Sequence, residues 1–419
     1  MTSDAKRHRR QTYVWVWLPG AEDPVVAGLL AADGGGYAFT YGRSYLARDC
    51  AVSLFPDELP LRAGTQRQAA DGLPSCLRDA APDAWGRRVI LQRLLADGTQ
   101  PATDALDEID FLLASGSDRI GALDFQASAS RYVPREAGDA TLTELAEAAD
   151  RLDRGETLSP ALGLALQHGT SVGGARPKAL LAGPEAKYIA KFSTSTDTRN
   201  VVKSEYVAMR LAARVGLDVA PVTLTSALGR DVLLVQRFDR VRTDGGWRRR
   251  GMLSALTLLG LQEWEARCAG YIDLAHRIRR DFADPTATLR ELFGRMVFNV
   301  LCGNTDDHAR NHAAFWDGRQ YRLTPAYDIC PQGRIAEASQ AMLLTAERRD
   351  SRLIACLAAA PALGIAPGDA RALIDHQLAV IKRDWEPTCD QAGLSETERN
   401  ALWRRDVLNP YCLEGYDRS

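Results

Sequence analysis

The chain has 419 residues, 46% hydrophobic and 25% charged, which are ordinary globular values with room for two or three cores. Its net charge of −2 gives no bulk attraction to nucleic acid or to an anionic membrane surface. Eight cysteines (Cys50, Cys76, Cys268, Cys302, Cys330, Cys356, Cys389 and Cys412) contain no C-x-x-C pair, a pattern that argues against a zinc module or a disulfide framework and suits a reducing cytosol.

Met1 to Arg10 is basic without a long apolar segment behind it, and no run of about eighteen apolar residues occurs anywhere. A soluble, cytoplasmic protein without membrane contact is the expectation. Tyr13 to Leu18 is rich in β-branched and aromatic types and breaks at Pro19-Gly20, so it predicts a strand and a turn. Gly34-Gly35-Gly36 precedes a second aromatic strand, Tyr37 to Tyr41. After Pro82-Asp83, the spacing of Trp85, Val89, Ile90, Leu94 and Leu95 predicts a helix with one apolar face. Residues 1–105 therefore read as a small α+β subdomain.

Residues 106–165 carry helical patterns, including Leu142 to Leu152. From Gly169 the chain turns glycine-rich, then gives short strands at Ala179–Leu181 and Tyr188–Phe192 and a helix from about Val202 to Val215. Strand-like runs follow at Val222–Leu224 and Val232–Val235. Residues 106–238 form a β-containing lobe in this reading. Residues 239–419 form a helical lobe, with helices predicted at Leu289–Leu301, Leu353–Ala359 and Ala370–Ile381. Turn residues at Asp244-Gly245-Gly246 and Asp317-Gly318 mark two hairpins within it. The three arginines Arg248 to Arg250 make too short a basic run to establish nucleic-acid binding.

The chemistry concentrates in Gly303-Asn304-Thr305-Asp306-Asp307-His308-Ala309-Arg310-Asn311, followed by Tyr327-Asp328. An Asp five residues before an Asn, with a later Asp, is the spacing of a protein-kinase catalytic centre. There the first Asp takes the substrate hydroxyl proton, and the Asn and later Asp hold magnesium on the ATP phosphates. That register selects Asp306 as base over Asp307, which then reads as a solvated neighbour. Alone, the pattern is also that of a polar loop with Asx turns. His308 reads as a satisfied structural histidine or a phosphate contact rather than a metal ligand, and His312 has no partner at a zinc-binding spacing.

The turn Gly169 to Lys178 can aim backbone amides at phosphate oxygens, with Lys178 adding a point charge. It is not a Walker A loop, because Pro177 precedes the lysine and Ala179 follows it. Strand alternation puts Lys191 on the face of Ile189, as for a kinase ATP-binding lysine, with Glu205 as a candidate partner. Both also read as solvated surface charges. Val232 to Asp239 is a buried-type strand that ends in polar residues, where a kinase hinge would offer its backbone to adenine.

Taken in order, Ser171–Lys178 (SVGGARPK), Lys191, Gln236–Arg240 (QRFDR), Asn304–Asn311 (NTDDHARN) and Leu323–Asp328 (LTPAYD) resemble the HipA family of bacterial serine/threonine kinase toxins. Pro82 to Arg87 (PDAWGR) is similar to a motif of that family's N-terminal domain. The resemblance implies an α+β, bilobal protein-kinase-like fold: a small α+β N-terminal subdomain, a β-containing N-lobe and an all-helical C-lobe. It implies ATP and Mg²⁺ as cofactors, Asp306 as catalytic base, and Asn311 and Asp328 as metal ligands. Gly173, Gly174, Ala175, Arg176, Pro177 and Lys178 would wrap the phosphates and Lys191 would contact them. Gln236, Arg237 and Phe238 would receive adenine, with His308 and Tyr327 also in the nucleotide site. Ser171 matches the serine whose autophosphorylation ejects the phosphate loop and switches such kinases off; about two added negative charges beside an ATP-binding loop give a physical basis for that.

The resemblance further implies a protein substrate, in the best-known members an aminoacyl-tRNA synthetase. It also implies a HipB-like helix-turn-helix antitoxin as partner, through which the complex meets DNA. Arg176-Pro177 stand where the best-known member carries Gln-Glu, which bears on substrate preference. Two other readings share the motifs: a kinase-fold phosphotransferase for a small molecule, and a DNA-associated co-repressor.

Overall fold

The computed structural model describes residues 10–67, 72–96, 106–135, 140–156, 158, 163, 166, 176–194, 197–333 and 337–416. The chain divides into two compact units. One comprises Met1–Ser195, Asp239–Met252 and Asp317–Arg319; the other comprises Thr196–Phe238, Leu253–Trp316 and Gln320–Ser419.

The first unit is built on an antiparallel sheet in the order β4-β3-β2-β1-β5: β1 Gln11–Val16, β2 Val25–Asp33, β3 Gly36–Tyr41, β4 Thr65–Arg67 and β5 Leu123–Gln126. β1 and β3 lie where the aromatic and β-branched residues predict them. β2 went unpredicted, because Val25 to Ala32 is a continuous run containing alanines and a glycine, without the alternation of a half-buried strand. Its position is set by pairing: Asp33 faces Gly36 across a two-residue turn whose Gly34 and Gly35 both take positive φ.

Helix α1 (Ala84–Ala96) buries Trp85, Val89 and Ile90, the expected face. Helices α2 (Glu108–Ala114) and α3 (Leu142–Asp153) each begin with a reciprocal capping box, Asp107 with Asp110 and Thr141 with Glu144. Strands β6 (Lys178–Ala182) and β7 (Lys187–Phe192) form an antiparallel hairpin. A second hairpin, Arg240–Thr243 with Gly246–Arg249, also belongs to this unit. Its Arg240 is buried and ion-paired to Asp118 at 2.7 Å and Asp239 at 2.9 Å, and donates to the Gly121 carbonyl at 2.9 Å.

The second unit contains α4 (Val201–Arg214), capped by the Asn200 side chain, and the hairpin β8 (Val222–Ala227) with β9 (Arg230–Gln236). Helices α5 (Tyr271–Asp281) and α6 (Pro285–Cys302) follow, then the hairpin β10 (Ala313–Trp316) with β11 (Tyr321–Leu323), and helices α7 (Leu353–Ala359) and α8 (Pro367–Gln391). α6 starts with an Asp284 cap and Pro285 in its first turn, and from Leu292 to Cys302 every residue is buried. Burial of each large apolar side chain there contributes roughly 1.5–3 kcal/mol relative to exposure. α8 extends past both predicted ends. Its N-terminus is set by Pro367, whose fixed φ suits a first turn, and it runs through Pro387.

The region beyond Asp239 is therefore not all-helical. It holds two hairpins and the strand Gly251–Ser254, and the turn residues Asp244-Gly245 and Asp317-Gly318 lie between the paired strands.

Gly303 ends α6 at φ 73°, and a β-carbon there would press on the Asp406 backbone. Gly303→Ala is expected to lower stability by about 1–3 kcal/mol, read as a shifted urea midpoint at constant slope.

Candidate active site

The loop after α6 is fixed at its root. The Asn304 backbone N–H donates to the Asn299 carbonyl at 2.9 Å, and its side-chain amide donates to Asn299 Oδ1 at 3.0 Å. Backbone bonds from Ala341 to Thr305 (2.9 Å) and from Gln332 to Gly303 (2.9 Å) hold it from two further segments. These bonds satisfy groups that a helix end otherwise leaves orphaned.

From that root the two adjacent acids diverge. Asp306 is exposed, and among the described residues its carboxylate has no hydrogen-bond partner. Asp307 is buried, contrary to its reading as a solvated neighbour. The Tyr271 hydroxyl donates to its Oδ2, and His312 Nε2 donates to its Oδ1 at 2.9 Å. The Asn299 amide donates to the same Tyr271 oxygen at 3.3 Å. Burial first, then the charge of Asp307, pushes the Tyr271 phenol well above its ordinary value, so it remains a proton donor. Sequence reasoning missed this network, since no short spacing links Tyr271 or Asn299 to the loop. The Asp307–His312 interval, an unremarkable i,i+5, was the only local signal.

The Asp306 carboxyl titrates above the ordinary carboxylate range. Partial desolvation is the main cause; His308 opposes it, and the nearby charges of Asp328 and Asp307 add to it. His308 is half-buried and its Nδ1 has no hydrogen-bond partner among the described residues, so it is not the satisfied structural histidine expected.

Asn311 is buried, and its amide nitrogen donates a long 3.4 Å bond to the Asp306 carbonyl, which leaves its carbonyl oxygen unused by that bond. Asp328 sits at φ 58°, left-handed backbone that Asp tolerates better than most residues. Tyr327 donates its hydroxyl to the Arg310 carbonyl at 2.7 Å. Its ring also meets Phe238 at 5.6 Å between centroids, and Phe238 meets Phe315 edge-on at 5.8 Å. This aromatic cluster brings the end of β9, with Gln236 and buried Arg237, to the loops that carry Asp306, Asn311 and Asp328.

Asn311 and Asp328 offer hard oxygen donors of the kind Mg²⁺ takes alongside phosphate and water. The negative charge gathered by Asp306, Asp307 and Asp328, which already raises the Asp306 carboxyl, is relieved by a cation, so the residues fit that ion. Among the described residues, no group of three or more His, Cys, Asp or Glu forms a metal cage.

The remaining candidates, Glu205 excepted, lie in the first unit. Lys178 is buried, its ammonium 3.7 Å from Asp83 Oδ2, and its carbonyl accepts from Trp85 Nε1 at 3.0 Å. The P-D-A-W-G-R motif thus grips the strand that opens at Lys178. Burial raises the Asp83 carboxyl and Lys178 partly offsets it. Lys191 faces Lys178 across the hairpin, and Pro177 accepts from the Phe192 N–H at 3.1 Å. Arg176 is exposed, and Glu205, on α4 in the second unit, is buried rather than solvated. Ser171, Gly173, Gly174 and Ala175 lie outside the described residues.

Comparison with known proteins adds two family profiles. The HipA-like C-terminal domain matches residues 170–385 and the HipA N-terminal domain matches residues 16–126. A Sinorhizobium fredii protein, Y4mE, named as a proposed kinase, is 28% identical over 347 residues, covering 75% of this chain and 77% of its own. The serine/threonine-protein kinase toxin HipA of Shewanella oneidensis is 28% identical over 183 residues, 38% of this chain and 42% of its own. A solved Shewanella oneidensis structure of HipA with HipB and operator DNA superposes with a TM-score of 0.71 at 20% identity, covering 95% of this chain and 96% of that one. That superposition gives the fold as α+β and protein-kinase-like.

Because the folded state raises the Asp306 carboxyl above 3.8, ionising it costs stability. The contribution is favourable below the unfolded value and is lost as pH rises through the folded one. Asp306→Asn should therefore have a higher urea midpoint than wild type at pH 7, and the gap should close as pH falls below 3.8. Equal midpoints at pH 7 would contradict it.

Proposed function

The chain belongs to the HipA family, whose relatives are named kinases, and on that footing we propose that it is a Mg·ATP-dependent serine/threonine-protein kinase and the toxin of a type II toxin–antitoxin pair. The observation that carries this reading is the divergence at Asp306. An exposed carboxylate with a raised pKa stands at the end of a rigidly held loop, next to the buried amide of Asn311 and the charge of Asp328.

Asp306 accepts the proton of the attacking hydroxyl. Its raised value supports that work, because a base closer to neutral pH takes a proton more effectively in the transition state. Asn311 and Asp328 would hold Mg²⁺, which when bound neutralises charge on the phosphates. Arg176 to Lys178 and Lys191 meet phosphate, and the family resemblance extends that role to Gly173, Gly174 and Ala175. Gln236 to Phe238 offer the adenine site, and the Phe238–Tyr327 pairing fixes that segment against the catalytic loop. His308 contributes a contact to the nucleotide site.

The acceptor is a protein hydroxyl, in one reading on an aminoacyl-tRNA synthetase, and Ser171 is the autophosphorylation site. The partner is a HipB-like helix-turn-helix antitoxin, through which the complex meets DNA; the HipA–HipB–operator assembly of the Shewanella relative motivates this assignment. A partner that meets DNA implies work in the cytoplasm; separately, among the described residues no helix is long and apolar enough to cross a membrane.

Asp306→Gln should lower phosphoryl transfer from radiolabelled ATP by about 10²–10⁴-fold while ATP binding, read by calorimetry, persists. Wild-type turnover in that variant removes Asp306 as base. Label recovered from a cell lysate only on a metabolite, and never on a protein band, overturns the protein-kinase reading.

A further inference from the structure

Asp307 is absent from the kinase spacing rule, yet it is the better-held of the two acids. Its oxygens take one donor each, from Tyr271 on α5 and from His312 just beyond Asn311. Behind Tyr271, Asn299 donates to the phenol oxygen at 3.3 Å, and Asn304 donates to Asn299 at 3.0 Å. All five residues are buried. The His312 ring lies edge-on to Tyr271 at 5.4 Å, and its carbonyl accepts from Ala255 at 2.7 Å, so neither donor is free to follow a moving loop. The chain of bonds therefore holds the catalytic segment at Asn304, at its midpoint Asp307, and at His312, immediately past the last candidate ligand.

We infer that Asp307 is a positioning residue for the reaction, a buried clamp closed by Tyr271 and His312 that fixes where the adjacent Asp306 carboxylate points. This rests on the kinase reading above. With no hydrogen bond to its own carboxylate among the described residues, Asp306 is aimed by its backbone alone, and that backbone is oriented by the neighbour. A small misplacement of a reacting group costs rate far more than it costs nucleotide affinity.

The test uses the purified full chain with Mg²⁺ and radiolabelled ATP, the protein's own serines as acceptor, and amide hydrogen exchange on the same samples. Asp307→Asn and Tyr271→Phe should each lower kcat by about 10–100-fold with little change in the KM for ATP. The double variant should be no slower than Asp307→Asn, because the two groups act as one unit. His312→Gln, which keeps a donor near the Nε2 position, should recover most of what His312→Leu loses. A folded Asp307→Asn with unchanged kcat, or a KM that rises in step with the loss of kcat, overturns the proposal. Should the wild type label neither itself nor any protein of a cell lysate, the kinase reading fails by itself. Exchange at Thr305 to Asn311 then decides the clamp: faster exchange confined to that segment in Asp307→Asn supports it, and unchanged protection overturns it.

Discussion

A carboxylate withdrawn from water costs several kcal/mol unless each oxygen receives a donor, and the second unit is arranged around meeting that demand at Asp307. Tyr271 comes from α5 and His312 from the far end of the catalytic loop. Those two bonds fix the loop's path between α6 and β10. With Asp307 committed to the interior, the residue before it, Asp306, is left facing outward. The Asp306 carboxylate is thus exposed as a consequence of its neighbour's burial, with no hydrogen-bond partner of its own among the described residues.

The same region concentrates like charge. Asp306 feels both Asp307 and Asp328, with His308 opposing them. Asp328 also occupies left-handed backbone, a conformation of higher energy for a residue with a β-carbon. A deeply buried helix and a hydrogen-bonded polar network, in which the His312 Nδ1 is left without a partner among the described residues, therefore sit beside crowded acids and an irregular backbone. This is the distribution of strain expected of a candidate active centre.

Much of this arrangement can be read from residue types. Aromatic and β-branched runs announce β1 and β3, and the apolar stripe of α6 leads directly to the Asp306–Asn311 loop. Asp-Gly turns mark hairpins on either side. Long-range choices are harder to read. The spacing to Asn311 separates Asp306 from Asp307, but that Asp307 is the buried one depends on donors from Tyr271 and His312 that only folding brings to it. The role of Asp83 was hidden for the same reason, because its partner Lys178 lies far along the chain. β2 was obscured by alanine and glycine, whose weak β preference is overridden by pairing on both sides. The all-helical lobe implied by the family resemblance does not hold beyond Asp239, where the Asp244-Gly245 and Asp317-Gly318 turns mark the two hairpins in the sequence itself.

The first unit takes its hairpin at Arg240–Arg249 from far downstream of its N-terminal part. The buried guanidinium of Arg240 is neutralised by Asp118 and by its neighbour Asp239, and it binds the carbonyls of Arg119 and Gly121. Evolutionary recombination is constrained accordingly. A crossover placed near residue 239 would join an Arg240 from one parent to an Asp118 from another, and any mismatch would strand a desolvated cation. Chimeras between relatives should therefore be viable when the segment Asp239–Met252 is inherited together with the N-terminal portion, so the heritable modules of this protein are discontinuous in sequence.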